Sequence, residues 1–168
     1  MGDIKNVLVL CTGNSARSVL GEVLINELGK GRFRAYSAGS QPTGKPNPFA
    51  VELLDGLGYD TSYVRSKSWD EFSGEDAVQM DYVITVCSSA AGETCPYWAG
   101  APVSAHWGIP DPAGAGETDA ENRSAFQLAH ARMKARVEAF LALPLEDMDT
   151  AAQKKALTQI GTELEGAA

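Results

Sequence analysis

Val7-Leu8-Val9-Leu10-Cys11-Thr12-Gly13-Asn14-Ser15-Ala16-Arg17-Ser18 carries an apolar run straight into a cysteine, a short polar loop and the start of a helical pattern. The run is apolar throughout, as a central parallel strand covered on both faces requires. Beyond it, Val19, Leu20, Val23, Leu24 and Leu28 fall on one helical stripe that Gly29 ends. A strand that turns abruptly into a helix N-terminus points backbone N–H groups and the positive end of the helix dipole at one spot. That spot suits an oxyanion. The thiol of Cys11 stands where the same groups favour its thiolate, so its pKa is expected to lie below the reference of about 8.5. The planar guanidinium of Arg17 can close the cup with two parallel hydrogen bonds. A cysteine ending an apolar strand is, taken alone, more often a small buried hydrophobe, and Gly-Asn alone is only a turn. Strand end, five-residue loop, arginine and serine together carry the reading. The loop lacks the Gly-Lys-Ser/Thr ending that would hold a nucleotide and its magnesium.

The rest of the chain places this stretch in a sheet. Its 168 residues suit one globular domain. Ile4–Leu10 is the first strand, Ser15 to about Gly29 the first helix and Phe33–Ala38 the second strand. Gly39–Pro48 is a Gly/Pro-rich loop, and Phe49–Leu57 a second helix ended by Gly58. A short helix is expected around Trp69–Phe72, a third strand over Tyr82–Val86 and a fourth around Val103–Ala105. A long helix from Glu121 to about Leu143 follows, with Phe126, Ala129, Met133, Val137 and Phe140 on one face. A weaker helix is expected from Leu145 to the end, whose Leu157, Ile160 and Leu164 pack on the domain or on a second copy. Strands alternating with helices imply a single-domain α/β fold with a four-stranded parallel sheet flanked by helices. Its active site is then expected at the carboxyl ends of the strands. Cys11 and Cys87 both stand at such ends.

Charge and composition narrow the partners. The net charge is −8, from 14 basic and 22 acidic residues, which argues against nucleic acid or an anionic membrane surface. An acidic chain that binds an anion needs a local positive cup. No apolar run approaches the ~20 residues of a membrane span, and Met1–Asn6 lacks the pattern of a secretion signal. A cytoplasmic protein is expected. Three cysteines form no closed disulfide framework, and in a reducing compartment they point to reactive chemistry.

Two further stretches carry chemistry. In Cys87-Ser88-Ser89-Ala90-Ala91-Gly92-Glu93-Thr94-Cys95 the thiols are too far apart for a Cys-X-X-Cys motif, and no matching Cys/His pair makes a zinc site. The two cysteines are unrelated, or a Gly-containing loop carries one thiol toward another, as thiol–disulfide exchange requires. In Ile109-Pro110-Asp111-Pro112 the prolines fix the backbone around one carboxylate. Asp111 then either makes a plain Asp-Pro turn or protonates a departing oxygen. His106 and His130 have no assigned partner. Trp69, Trp98 and Trp107 read as packing residues, with Trp107 a candidate pocket wall.

The loop from Cys11 to Ser18 resembles the phosphate-binding loop of low-molecular-weight protein tyrosine phosphatases and of the arsenate reductases that share their Rossmann-like fold. Asp111-Pro112 is similar to the family's general-acid dipeptide. Cys87 and Cys95, with His106-Trp107-Gly108, are similar to the arsenate reductase branch. The resemblance spans roughly residues 4–144, and it implies a mechanism. Cys11 attacks arsenate held by Arg17 and by Thr12, Gly13, Asn14, Ser15, Ala16 and Ser18; Ser18 hydrogen-bonds the thiolate and Asn14 holds the loop's conformation. Asp111 protonates the departing hydroxyl. Cys87 attacks Cys11, arsenite leaves, and Cys95 passes the disulfide outward to a thioredoxin-type reductant, expected ahead of glutathione and glutaredoxin. Phosphate or sulfate would mimic the substrate, with no tightly bound cofactor and no metal. Some relatives bind potassium through groups such as Asn14, Glu22 and Ser37. Ala16 stands where many have a second loop cysteine.

The alternative is a low-molecular-weight phosphatase working through a cysteinyl-phosphate. It needs Cys11, Arg17 and Asp111 but neither Cys87 nor Cys95. Its relatives commonly place aromatics after the Asp-Pro, where this chain has Ala113 and Gly114. The division expected is a catalytic domain over 1–145 and a helical tail over 146–168, in a monomer or weak dimer.

Overall fold

Val7, Leu8, Val9 and Leu10 are each at most 1% exposed, and the strand they form, β1 (Lys5–Leu10), is the centre of the molecule. The computed structural model describes residues 4–73, 77–86, 102–110, 112–114 and 116–164. Among them, β2 (Phe33–Ala38), β3 (Tyr82–Thr85) and β4 (Val103–His106) join β1 in one sheet of order β2-β1-β3-β4, every pair parallel. The chain leaves β1 toward β2 on one side and returns to β3 on the other. The carboxyl end of β1 is therefore the topological switch point, where a crevice opens above the sheet.

Alternation along the strands divides the core. Val7, Val9, Ala35, Tyr82 and Ile84 face the helices α1 (Arg17–Leu28), α2 (Pro48–Gly56), α3 (Asp119–Leu141) and α4 (Thr150–Leu164). Leu8, Leu10, Ala38 and Val83 face the other way, onto Met80 and onto Phe72 of a short 3-10 turn at Trp69–Phe72. Phe140 of α3 knits the first layer, packing on Phe33, Tyr82 and Trp107 with ring centroids 4.8, 5.4 and 5.9 Å away.

Most element boundaries move by one or two residues from the sequence reading, and the start of the tail helix by five, for local reasons. The first helix starts at Arg17 rather than Ser15, because Ser15 and Ala16 stay in the loop and the Ser15 carbonyl accepts from Asn47 N. The long helix starts at Asp119 because the Thr118 hydroxyl caps the Glu121 amide, while the Glu121 carboxylate reaches back to Glu117 N. It ends at Leu141, short of Pro144. The tail opens with a 3-10 turn at Leu145–Asp147, and its helix begins at Thr150 after Asp149 caps the Ala152 amide. That helix packs on its own domain, beside β4, with Leu157 fully buried and Ile160 nearly so. The side chain of Leu164, like the whole of Trp98, lies outside the described residues. Trp107 is no pocket wall: it is 1% exposed beneath α4.

Phe140→Ala is expected to destabilise the protein by about 3–5 kcal/mol, since it empties the junction of three aromatic contacts. Urea unfolding followed by tryptophan fluorescence measures the loss.

Candidate active site

Between Leu10 and Arg17 the backbone folds into a cup whose carbonyls are tied outward. Thr12 O accepts from Gln41 N at 2.9 Å, Gly13 O from Thr43 N at 3.0 Å and the Ser66 hydroxyl at 3.1 Å, and Ser15 O from Asn47 N at 2.7 Å. The amides of Gly13, Asn14, Ser15 and Ala16 have no backbone acceptor among the described residues. With the Thr12, Gly13 and Ser15 carbonyls bonded to neighbouring loops, these four N–H groups remain without a backbone partner among those residues. α1 begins without a capping side chain and without an acidic residue in its first turn, so its positive end is not already neutralised. Cys11 stands at the start of the cup, 5% exposed.

Asn14 makes this turn possible. Its φ is +46°, the one non-glycine residue in the left-handed region among those described, a conformation that asparagine tolerates better than most residues. The side chain, fully buried, then pins the loop from behind. Its Oδ1 accepts from Lys67 N at 2.9 Å, and its Nδ2 donates to the Ser18 and Ser37 hydroxyls, both at 2.9 Å. The Ser37 hydroxyl in turn donates to Glu22 Oε1 at 2.6 Å. These bonds give a direction to the whole chain of groups. Asn14 Nδ2 can only donate, so the Ser18 and Ser37 hydroxyls both accept from it; Ser37 gives its own proton to Glu22, and Ser18 keeps its proton to donate.

Gly39, just beyond β2, closes the cup from the side. A Cβ there would collide with the Cys11 and Thr12 carbonyl oxygens, so only glycine lets the two backbones meet. Gly39 also bridges to the Lys67–Trp69 segment through Gly39 N to Lys67 O and Trp69 N to Gly39 O. The Arg17 guanidinium, on the first residue of α1, donates from Nη1 to the Ile109 carbonyl at 3.0 Å.

The structure thus brings Cys11, Thr12, Gly13, Asn14, Ser15, Ala16, Arg17 and Ser18 into one cup at the carboxyl end of β1. Cys87, Cys95 and Asp111 lie outside the described residues. Their described neighbours stand at the same end of the sheet. Val86 N donates to Leu10 O at 2.9 Å, and Ile109 N to Val86 O at 3.2 Å.

Residues 6–155 match the family described as low molecular weight phosphotyrosine protein phosphatase. The chain belongs to this family. Within it, the chain is 32% identical to arsenate reductase 1 of Staphylococcus epidermidis over 136 residues, 81% of this chain and 95% of the relative. It is 34% identical to the arsenate reductase of Halalkalibacterium halodurans, again over 81% of this chain, and 94% of that one. A solved structure titled "An arsenate reductase in the phosphate binding state" superposes with a TM-score of 0.68 at 26% identity, covering 83% of this chain and 98% of that one.

Lys67, one member of this site, had no signal in the sequence, whereas Glu22 stood among the groups that the family resemblance implies for potassium. Beneath the cup lie Glu22, 3% exposed, and Lys67, 6% exposed. Burial raises the Glu22 carboxyl above its ordinary 4.5, against the pull of the Lys67 ammonium and the Ser37 hydroxyl. Burial lowers the Lys67 ammonium, against the opposing pull of Glu22. Asn14, Ser37 and Glu22, the groups through which some relatives bind potassium, do converge here. They fit that ion poorly. Asn14 Oδ1 is taken by the Lys67 amide, and an ammonium already supplies positive charge near Glu22. Among the described residues no three His, Cys, Asp or Glu side chains cluster as a metal site, and no helix is long and apolar enough to cross a membrane.

The raised pKa of Glu22 has a stability consequence with a definite sign. Its contribution is fully present below pH 4.5 and is lost as pH rises through the raised folded value. Glu22→Gln, which keeps an acceptor for Ser37, is therefore expected to gain stability relative to the parent as pH rises from 4.5 to neutrality. Urea midpoints of both proteins across that range test this. A parent that gained instead would mean that the Lys67 attraction outweighs burial.

Proposed function

We propose that this protein reduces arsenate to arsenite with a cysteine nucleophile and an intramolecular three-cysteine disulfide relay. The observation that carries the reading is the cup itself: a buried thiol at the start of a loop whose four amides from Gly13 to Ala16 have no backbone acceptor among the described residues, with a guanidinium on the first helical residue. Such a cup recognises a tetrahedral oxyanion by shape and charge. Relatives named arsenate reductases, at 32–34% identity along nearly their whole length, support arsenate as that ion.

The steps follow from the donors. Arsenate sits with its oxygens on the amides of Thr12–Ser18 and on Arg17, and the Cys11 thiolate attacks arsenic. Ser18, whose hydroxyl proton is left free by Asn14, stabilises that thiolate. Asp111 protonates the departing hydroxyl, which leaves as water. The Cys87 thiol, losing its proton, attacks Cys11 sulfur; the sulfur–arsenic bond breaks, arsenic keeps the electron pair, and arsenite departs from a Cys11–Cys87 disulfide. Cys95 attacks Cys87, restoring the Cys11 thiol and leaving Cys87–Cys95. Two electrons from an external dithiol, thioredoxin ahead of glutathione and glutaredoxin, return that pair to thiols. No tightly bound cofactor enters. The adjacency of Leu10, Val86 and Ile109, each one or two residues from a reacting group, favours this geometry. The catalytic unit is read as residues 1–145 with 146–168 as a tail, in a cytoplasmic monomer or weak dimer.

A cysteinyl-phosphate phosphatase is the second reading, favoured by the matched family's own description. It uses Cys11, Arg17 and Asp111 and is indifferent to the distal thiols.

Steady-state arsenite production with thioredoxin, thioredoxin reductase and NADPH separates the two. Cys11→Ser is expected to abolish turnover. Cys87→Ser and Cys95→Ser are expected to stop after at most one cycle, while hydrolysis of p-nitrophenyl phosphate, slow in the parent, survives in both. Full multiple turnover in both distal variants would overturn the relay. Substituting glutathione and glutaredoxin in the assay identifies the reductant.

A further inference from the structure

The matched region fills 94–95% of the named relatives but only 81% of this chain, and the proposed chemistry gives helix α4 no task. Its docking is nonetheless closer than side-chain packing requires. At Gly161 a Cβ would collide with the His106 carbonyl oxygen and lie 3.1 Å from Trp107 Cδ1, so helix and strand backbone touch. One turn earlier, the Leu157 carbonyl accepts the indole N–H of Trp107 at 3.0 Å.

From Trp107 a short strap leads to the cup. Trp107 N donates to Thr85 O, the Gly108 carbonyl accepts from Arg136 Nη2 at 3.3 Å, and Ile109 N donates to Val86 O. The Ile109 carbonyl accepts from Arg17 Nη1 at 3.0 Å. α4 therefore holds the strap at one end and Arg17 is tied to the other. A guanidinium is a rigid plane with its five donors in fixed directions, so anchoring one N–H sets where the others point.

We propose that α4 is a brace for the oxyanion cup: by fixing Trp107 it sets the Ile109 carbonyl that aims the Arg17 guanidinium at the bound ion. Leu157, Gly161 and Trp107 are then positioning residues for oxyanion binding. This rests on the reading of Arg17 as an anion ligand. A guanidinium displaced by a fraction of an ångström loses its fork geometry on the anion, and misplacement of about 1 Å can cost on the order of 100-fold.

The test uses the full chain and inorganic phosphate, with affinity read by calorimetry. Trp107→Phe keeps an aromatic side chain in the core while removing the indole N–H that bonds Leu157; Gly161→Val lifts the helix off the strand. Both are expected to weaken phosphate binding about 10-fold, and Lys155→Ala, on the exposed side of the same helix, to leave it unchanged. In an Arg17→Ala background, Trp107→Phe is expected to cost nothing further, because a brace acting through Arg17 has nothing left to aim. A merely structural helix would lower the thermal midpoint and leave affinity intact. Parental affinity in Trp107→Phe overturns the brace, as does an equal loss with and without Arg17, and this variant decides even if Gly161→Val fails to fold. A parent that binds no phosphate overturns the reading of the cup, and the brace falls with it.

Discussion

The buried amide of Asn14 is the constraint on which the site depends. An oxyanion cup needs consecutive N–H groups turned inward, and a chain left to itself satisfies those groups locally. Here one residue in a left-handed conformation reverses the backbone, and its side chain holds the reversal by one hydrogen bond to Ser18 four residues on and two to Ser37 and Lys67, which are remote in sequence. The carbonyl bonds to Gln41, Thr43, Asn47 and Ser66 are the complement of the same arrangement. Each outward carbonyl frees an inward amide, so the cup is organised before any ion arrives. Binding then costs little reorganisation.

That organisation is supported from below by a carboxyl and an ammonium that neither solvent nor a close ion pair fully compensates. Burial works against the charged form of both groups, while each favours the charge on the other. Buried ionic groups of this kind contribute little net stability. What the network supplies is direction: the Lys67 amide fixes the sense of the Asn14 side chain, so that Ser18 and Ser37 both accept from it and Ser37 donates on to Glu22.

Much of this architecture was legible in the amino-acid pattern, and the reasons are physical. The apolar runs of β1 and β3 and the 3.6-residue stripes of α1 and α3 are demanded by burial, so the sheet and its helices could be read directly. The strand-to-helix turn at Cys11–Arg17 carried the cup. The back wall was not legible, because Lys67 meets Asn14 across 53 residues and nothing local marks a lysine that will be buried. Gln41, Thr43 and Ser66 are ordinary loop residues until the fold brings them to the cup. Trp107 is the packing residue the sequence suggested, and the alternative of a pocket wall falls because the last helix covers it. The roles of Cys87, Cys95 and Asp111 rest on the sequence and on family resemblance.

The seating of α4 also bears on how the molecule meets its own copies. β4 is the last strand of the sheet, and a bare last strand offers unpaired peptide groups to any other extended chain. Here Lys154 places its ammonium on the Ser104 carbonyl, and the Gly161 turn presses against His106. A helix laid along that margin removes the template for intermolecular strand pairing. The same segment that steadies the interior therefore blocks strand addition at the β4 margin.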